Sequence, residues 1–552
     1  YNIIDFLLLV AIFILLNVIS SHYFFRVDLT EEKRYTIANA SKNTLHQLDD
    51  IIFVEIFLDG DLPPGFKRLQ RSIRETLDEF RIFSGANIQY KFTDPTAETN
   101  EQLKGRFMMQ LAQKGVQPTN IFANENGKQT EKIVFPGAVI SFKGRERAVI
   151  FLKGSAGVSP AEVLNQSVEG VEYELISAIR KIAQPQLKRI GIVQGHGEAD
   201  GLQLDEFYQT LKESYAVDKI KLTDIQNVTS YFDVLIISQP TQYFTESDKL
   251  KIDQFVVRGG RALLFIDKAE IKIEKLGTDE SLAGIYDLNI DDLLFKWGVR
   301  VNNDLVQDLQ SGAIPMVTGM TGNQPQTQLV PWAYYPVISQ YSKHPIVKNL
   351  SLSLTKFVGS IDTVKASGIA KTPLLFTSQY CKEVVSPVNI DLLEAKKQPD
   401  PTEYTMGQQP IGYLLEGSFK SMYANRLSDE KQKAINFKPQ SAESKIIIFS
   451  DGDIIRNDVS PDRSQAYPLG FDMFMRKKFA NKELIENCIN YLNDDNGIIN
   501  IRSKEIKLRL LDKQKSKKER TKWQMINVVL PLLILFAFGA IKYYNRKKKF
   551  EK

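Results

Sequence analysis

Ile190-Gly191-Ile192-Val193-Gln194-Gly195-His196-Gly197-Glu198 decides how this chain is read. A short apolar run enters a turn in which two glycines flank a histidine. A continuous apolar run bounded by turn residues fits a strand buried on both faces, the kind found in parallel sheets. The pattern returns three times. Val234-Leu235-Ile236-Ile237-Ser238 leads to Gln239, Ala262-Leu263-Leu264-Phe265-Ile266 to Asp267, and Lys445-Ile446-Ile447-Ile448-Phe449 to Ser450-Asp451-Gly452-Asp453. Helices fall between and after these strands. Leu204 to Ser214 is one, and Glu483 to Leu492 is the last. Thr245 to Arg258 is another, with Thr245 as N-cap and Gly259-Gly260 as its stop. The alternation predicts a doubly wound α/β domain over residues 185–500. From about 300 to 440 the pattern loosens into short β-like runs punctuated by Pro325, Pro331, Pro336 and Pro345. This stretch is too apolar for disorder and reads as a β-rich insertion. Within it, Trp332-Ala333-Tyr334-Tyr335-Pro336 is either a contact surface or a local mini-core.

Upstream lies a second α/β pattern. Ile51 to Leu58 is a strand stopped by Asp59-Gly60, and Phe66 to Phe83 places Leu69, Ile73, Leu77 and Phe80 at helical spacing. Ile88 to Phe92 is the next strand, so strand, helix and strand make a βαβ unit. Glu131 to Phe135, Ala138 to Phe142 and Arg147 to Leu152 add three more strands. Residues 25–153 therefore predict a thioredoxin-like α/β domain. It has no C-x-x-C, which excludes thiol redox chemistry. Residues 154–168 read as a polar linker and Val171 to Ile182 as a helix, so 154–184 joins the two domains.

The ends of the chain are apolar. Ile3 to Ile19 has one charge, Asp5, in 17 residues and at about 1.5 Å per residue just reaches across a bilayer core. It reads as an anchor over residues 1–24, with a cleaved signal peptide as the alternative. Trp523 to Ile541 has no charge in 19 residues and is bracketed by Trp523 and Tyr543-Tyr544, the interfacial residue types. A basic juxtamembrane segment, 501–522, precedes it and a basic tail, 542–552, follows. The 552 residues carry a net charge of +5, but from Arg502 to Lys552 there are 16 Lys/Arg against 4 Asp/Glu. That surplus of +12 leaves −7 on the first 501 residues, which argues against nucleic-acid binding by the body. Two spans place both termini on one side, and the basic tail places that side in the cytoplasm. The body would then stand outside the cytoplasm, and residues 502–522 would lie against anionic headgroups or a partner.

The motifs that are missing narrow the chemistry. There is no G-x-x-x-x-G-K-[ST], no complete G-x-G-x-x-G after a strand, no H-E-x-x-H and no G-x-S-x-G. The four histidines are scattered, and two cysteines, Cys381 and Cys488, are too few for a disulfide framework. These two could still form a single bridge. No catalytic, cofactor or metal residue is assigned. One constellation remains. His196, Glu198, Gln239, Asp267, Asp451 and Asp453 all follow strands of one predicted sheet, at the edge where open α/β sheets bind ligands. A histidine beside carboxylates can do acid–base work. Strand ends are also commonly polar, and Gly-His-Gly can be no more than a tight turn.

Several segments carry a resemblance. They are Arg26-Val27-Asp28-Leu29-Thr30-Glu31, the βαβ unit from Leu58 to Asp94, Gly195-His196-Gly197-Glu198, Phe295-Lys296-Trp297-Gly298-Val299, Leu415-Glu416-Gly417-Ser418-Phe419 and Ile501-Arg502-Ser503-Lys504. In this order, between two spans, they resemble the GldG-type gliding-motility proteins of the auxiliary family of ABC transport systems. The resemblance implies a subunit of the bacterial inner membrane with a periplasmic body. It implies a polytopic GldF-like permease and a cytoplasmic GldA-like ATPase as partners, the ATP site being absent from this chain. It also implies that the second domain is glutamine-amidotransferase-like. There the nucleophile would be a cysteine at a strand-to-helix elbow. Here the elbow reads Ser238-Gln239-Pro240-Thr241, and neither cysteine follows such a strand, so that chemistry is not carried over. The expectation is a non-enzymatic accessory subunit, present as two copies if the complex is two-fold. The rivals are a ligand-binding module, using the His196 edge or the groove between the domains, and a cryptic hydrolase.

Overall fold

Alternation and helical spacing become two sheets bound by one long helix. The computed structural model describes residues 4–6, 8, 10–15, 36–125, 128–152, 159–184, 186–225, 228, 231–272, 276, 281–321, 324–503 and 517–550. It divides into two units, Tyr1–Glu505 and Ile506–Lys552.

In the larger unit α1 (Asn39–His46) precedes β1 (Ile52–Ile56), whose alternate residues Ile52, Val54 and Ile56 are buried. Helix α2 (Pro64–Phe83) starts on a proline, whose missing N–H costs nothing in a first turn, and buries Leu69, Ile73, Leu77 and Phe80. It returns the chain to β2 (Ile88–Phe92), parallel to β1. Helix α3 (Glu101–Gln113) follows, capped by the Asn100 side chain, which accepts from the Gln102 and Leu103 N–H groups. Next comes the hairpin of β3 (Thr119–Glu125) and β4 (Lys128–Val134), a separate two-stranded sheet. β5 (Gly137–Phe142) pairs antiparallel with β1, and β6 (Arg145–Ile150) with β5, giving the order β2-β1-β5-β6.

Helix α4 (Pro160–Ala183) corrects the linker reading of residues 154–168. From 160 onward the segment is helical, with the Ser159 hydroxyl accepting from the Glu162 N–H and Pro160 in the first turn. Polar side chains at its start hid a helix whose buried face begins at Val163. Residues 153–158 lie outside the described residues, as do Arg26–Glu31 and the basic run 504–516. Glu172 of α4 accepts from the Ala38 N–H (2.6 Å) and the Ser41 hydroxyl (2.8 Å), which ties α1 to it.

The second sheet has eight strands. β7 (Arg189–Gln194) leads through α5 (Asp205–Lys212) to β8 (Ala216–Lys221). Then come β9 (Val234–Ser238), α6 (Glu246–Val257) and β10 (Arg261–Phe265). A long hairpin, β11 (Ser311–Thr321) with β12 (Gln324–Ile338), projects next. The chain re-enters the sheet as β13 (Gln340–Tyr341), β14 (Ile369–Phe376), β15 (Pro410–Gly417) and β16 (Ser444–Phe449), and α7 (Asn481–Leu492) follows. The order is β13-β14-β15-β16-β10-β9-β7-β8. The five strands from β16 to β8 are parallel and the rest antiparallel. The sheet is thus mixed, and part of the expected 300–440 insertion forms its antiparallel wing.

Both faces of the parallel half are covered. Ile190, Ile192, Val234, Ile236, Leu263, Phe265, Ile447 and Phe449 face one core with α4, α5 and α7. Val193, Leu235, Ile237, Ala262, Leu264, Ile446 and Ile448 face another with α6. The first of these cores also contains the α2 stripe of the smaller sheet, so the two sheets share one continuous apolar interior. Cys381 and Cys488 are buried and free, so they form no bridge.

In the other unit, α8 (Arg520–Phe550) is long and apolar enough over Arg520–Lys549 to cross a membrane, and Pro531 lies inside it. Among the described residues it is the one helix that meets this test; Ile4–Leu15 is a shorter apolar helix. Of the two spans expected from the sequence, the C-terminal one has the required length.

Candidate functional site

The turn after β7 needs left-handed backbone twice. Gly195 has φ +115° and Gly197 +72°, which explains the glycine on each side of His196. A Cβ on Gly197 would collide with the Thr241 hydroxyl. The Thr241 and Gln242 N–H groups donate to the His196 carbonyl (2.9 and 2.8 Å), which locks this turn to the one after β9.

His196 is enclosed. Its ring stacks on Phe244, centroids 3.8 Å apart and planes 11° from parallel. Nδ1 lies 3.1 Å from Glu198 Oε1, and Nε2 lies 3.4 Å from Asp248 Oδ2. The His196 N–H donates to Glu198 Oε2 (2.7 Å), and the Thr245 hydroxyl donates to Asp248 Oδ2 (2.6 Å). The three side chains are buried. Burial lowers the imidazole pKa, but the Glu198 and Asp248 carboxylates outweigh it and the net shift is upward. Both ring nitrogens face carboxylates of the chain itself. The arrangement ties the turn after β7 to the start of α6.

The other four predicted residues form a separate group around the ends of β9, β10 and β16. Gln239 takes left-handed backbone, φ +54°, and its amide donates to Asp267 Oδ2 (2.5 Å). The Gly452 N–H donates to Asp267 Oδ1 (2.7 Å), and a Cβ on Gly452 would collide with the Gln239 side chain. Asp451 is fully buried and accepts from the Lys356 N–H (3.0 Å) and the Asp453 N–H (2.6 Å). Asp453 pairs with Arg456 at 3.0 Å. Burial, then Asp453, pushes the Asp267 carboxyl up to about 7, and burial raises Asp451 well above the ordinary range, with Asp453 and Asp267 adding to it. Among the described residues no three His, Cys, Asp or Glu are placed to hold a metal ion. Gln239 stands at the elbow where the resemblance calls for a nucleophile, and its amide is committed to Asp267.

The sequence thus brings all six residues to one sheet edge, but in two groups. It missed Asp248 and Phe244, which complete the first. Thr245 and Asp248 mark a helix start, and nothing in that local signal points 52 residues back to His196. The Trp332 patch proves to be a mini-core in which Trp332, Tyr334, Tyr335 and Phe357 pack together.

Two cavities lie away from this edge. One, of about 570 Å³, is lined by Trp332, Tyr334, Lys382 and Tyr404 among others. The other, of about 190 Å³, lies between β6, α4, α5 and α7. Lys181, half-buried on its wall, has its ammonium pKa pushed down to about 7 by burial and then by Arg147. The buried Thr210 hydroxyl on the same wall has no hydrogen-bond partner among the described residues.

Comparisons with known proteins add the following. Residues 187–488 match the family described as "ABC-type uncharacterized transport system", and residues 31–141 match a domain of unknown function, DUF7088. An uncharacterized protein of Borreliella burgdorferi is 20% identical over 538 residues, covering 95% of this chain and 94% of that protein. Among solved structures, the N-terminal domain of mmIFT52 is 13% identical with a TM-score of 0.31, covering 56% of this chain and 99% of that one. A ThuA-like protein of Parabacteroides merdae is 10% identical with a TM-score of 0.25, covering 56% and 90%. Both scores are below 0.5.

Proposed function

We propose, from the premise that the chain belongs to the family of ABC-type uncharacterized transport systems, that it is a non-enzymatic, membrane-anchored accessory subunit of such a system. The observation that carries this reading is one chain holding both the family region and helix α8, long and apolar enough for a bilayer. The nucleotide site is supplied by another chain, since no phosphate-binding loop motif occurs in this one. The finer form of the proposal is a GldG-type subunit of the bacterial inner membrane, its body periplasmic and both termini cytoplasmic. Its partners are then a GldF-like permease and a GldA-like ATPase, and gliding motility is the process served. The order β2-β1-β5-β6 supports the thioredoxin-like reading of the first sheet, and the elbow at Gln239 supports an amidotransferase-like second sheet without its nucleophile. The closed His196 group supports a coupling body over an enzyme.

Purification from native membranes through a C-terminal tag, in mild detergent, tests the reading. A permease-like chain and a Walker-A ATPase in stoichiometric amounts is the expected result. A folded chain that runs alone would remove the accessory role. A second reading, ligand binding, draws on the cavity of about 190 Å³ with Lys181 and Thr210. A small anion that raises the melting temperature in wild type but not in Lys181→Met would favour it.

A further inference from the structure

From residue 309 to 342 the chain runs 34 residues without Asp, Glu, Lys, Arg or His, in a protein that is 25% charged. The β11/β12 hairpin occupies the middle of this stretch. Its register sorts its side chains. Ala313 faces Pro331, Pro315 faces Leu329 and Val317 faces Thr327, so these six share one side. The ladder slips by one residue between Val317 and Gly319, which makes Thr318 a bulge. Beyond it Met320 faces Pro325, and alternation along β12 puts that pair on the same side. The other side carries Ile314, Met316 and Val330, which pack into the Trp332 core, and Gln326 and Gln328 further out.

The hairpin therefore carries apolar side chains on both sides, and one of those sides stands in water. Val317 is 47% exposed, Met320 64% and Leu329 50%, and Pro315, Pro325 and Pro331 are exposed with them. A third strand, Ser353–Leu354, pairs only with the base of β12, so the outer part of the hairpin is two-stranded, and an exposed apolar strip of this kind marks an interaction site.

We propose that this face packs against the same face of a second copy of the chain, a pairing that rests on the membrane-anchored reading above. Three observations select that occupant. First, prolines interrupt the free edges of the hairpin, while the base of β12 is already paired, Val337 with Leu354 and Ile338 with Ser353. Pro315, Pro325 and Pro331 fall on one alternation, and a ladder tolerates proline only where the missing N–H would point outward. An added strand would lose a hydrogen bond at each of these positions, which favours contact through the face. Second, a two-fold axis packs a patch against the same patch, so a surface of one charge sign would meet like charge. The body carries −7 overall, and this strip is neutral and so free of that penalty. Third, eight residues on two strands cover roughly 300–500 Å² from strand spacing and rise. That is well short of the ~800 Å² per partner of a stable solution complex. Such a contact holds when both copies are tethered to one membrane, where effective concentration replaces area.

The test uses the full chain reconstituted alone into lipid vesicles. Flotation with the vesicles checks the anchoring. Single Val317→Cys and Leu329→Cys variants are then treated with a short bismaleimide; Cys381 and Cys488 are fully buried and stay silent. Leu103→Cys, exposed on α3, is the off-face control. Cross-linked dimer about tenfold above that control, lost on diluting the chain into excess detergent, is the expected outcome. Val317→Cys combined with Leu329→Asp should fall to the control level with an unchanged melting curve. Flotation without cross-linking above the control would overturn the pairing and leave the anchoring intact. Failure to float would overturn both. In native membranes, a product whose mass shows a different protein chain joined at Leu329→Cys would also overturn the pairing.

Discussion

The carboxyl edge of the large sheet and the β11/β12 hairpin are opposites. At the edge, His196, Glu198, Asp248 and Asp451 are ionisable and buried, each with a partner inside the chain. On the hairpin, every residue of the outer face is uncharged, and the apolar ones stand in water. The difference teaches where to look for contact in this molecule. Charge taken inside acts as a fastener, because breaking a buried pair leaves an uncompensated ion. Apolar surface left outside is the part with something still to bury.

The largest effect should come from removing the fastener. His196→Leu leaves the Glu198 and Asp248 carboxylates buried without the imidazole they share, and should cost about 3–5 kcal/mol, read as a lower urea midpoint at pH 7. A midpoint unchanged from wild type would show that the two carboxylates find water, and the contrast between the regions would collapse. Gly197→Ala comes next. It combines a left-handed backbone with a collision at Thr241, and should cost about 2–3 kcal/mol. Gly195→Ala, which meets only the Lys221 side chain at 4.0 Å, should cost less and isolates the collision.

The pH dependence sharpens the same contrast. Asp267 is raised from 3.8 to about 7, and Asp451 is raised with it. An acid whose folded pKa is raised adds stability below its unfolded value and loses it as pH rises through the folded one. His196, also raised, gives up its contribution in the same direction, above the ordinary histidine range. The urea midpoint should therefore fall as pH rises from about 4 to about 7. In Asp267→Asn the lower part of that slope should flatten. The smallest effect belongs to the hairpin. Leu329→Asp should change stability by no more than about 0.5 kcal/mol, since the side chain lies half-exposed on the outer face, opposite only Pro315. A larger loss would mean that its face is part of the fold.

Legibility followed the physics of each signal. The strands β7, β9, β10 and β16 were readable because burial on both faces makes an unbroken apolar run. The stripe Leu69, Ile73, Leu77 and Phe80 was readable because one helix face is fully buried. Helix α3 was missed because it buries only Leu111 fully, so no stripe forms. The start of α4 was read as linker because its first turn is polar, although Ser159-Pro160 is a helix-start signature. The antiparallel wing hid inside a proline-rich stretch. At the candidate site, strand ends located six residues, yet the grouping depended on which turns touch, a non-local fact. The outer face of the hairpin was invisible without the bulge at Thr318, since a one-residue slip exchanges the two sides.

Helix α4 has a consequence for mechanics. Its 24 residues, about 36 Å long, are packed against the small sheet on one flank and share an interior with the large sheet on the other. A push on either sheet would travel to the other as a rigid displacement, so the body would respond to load as a single lever.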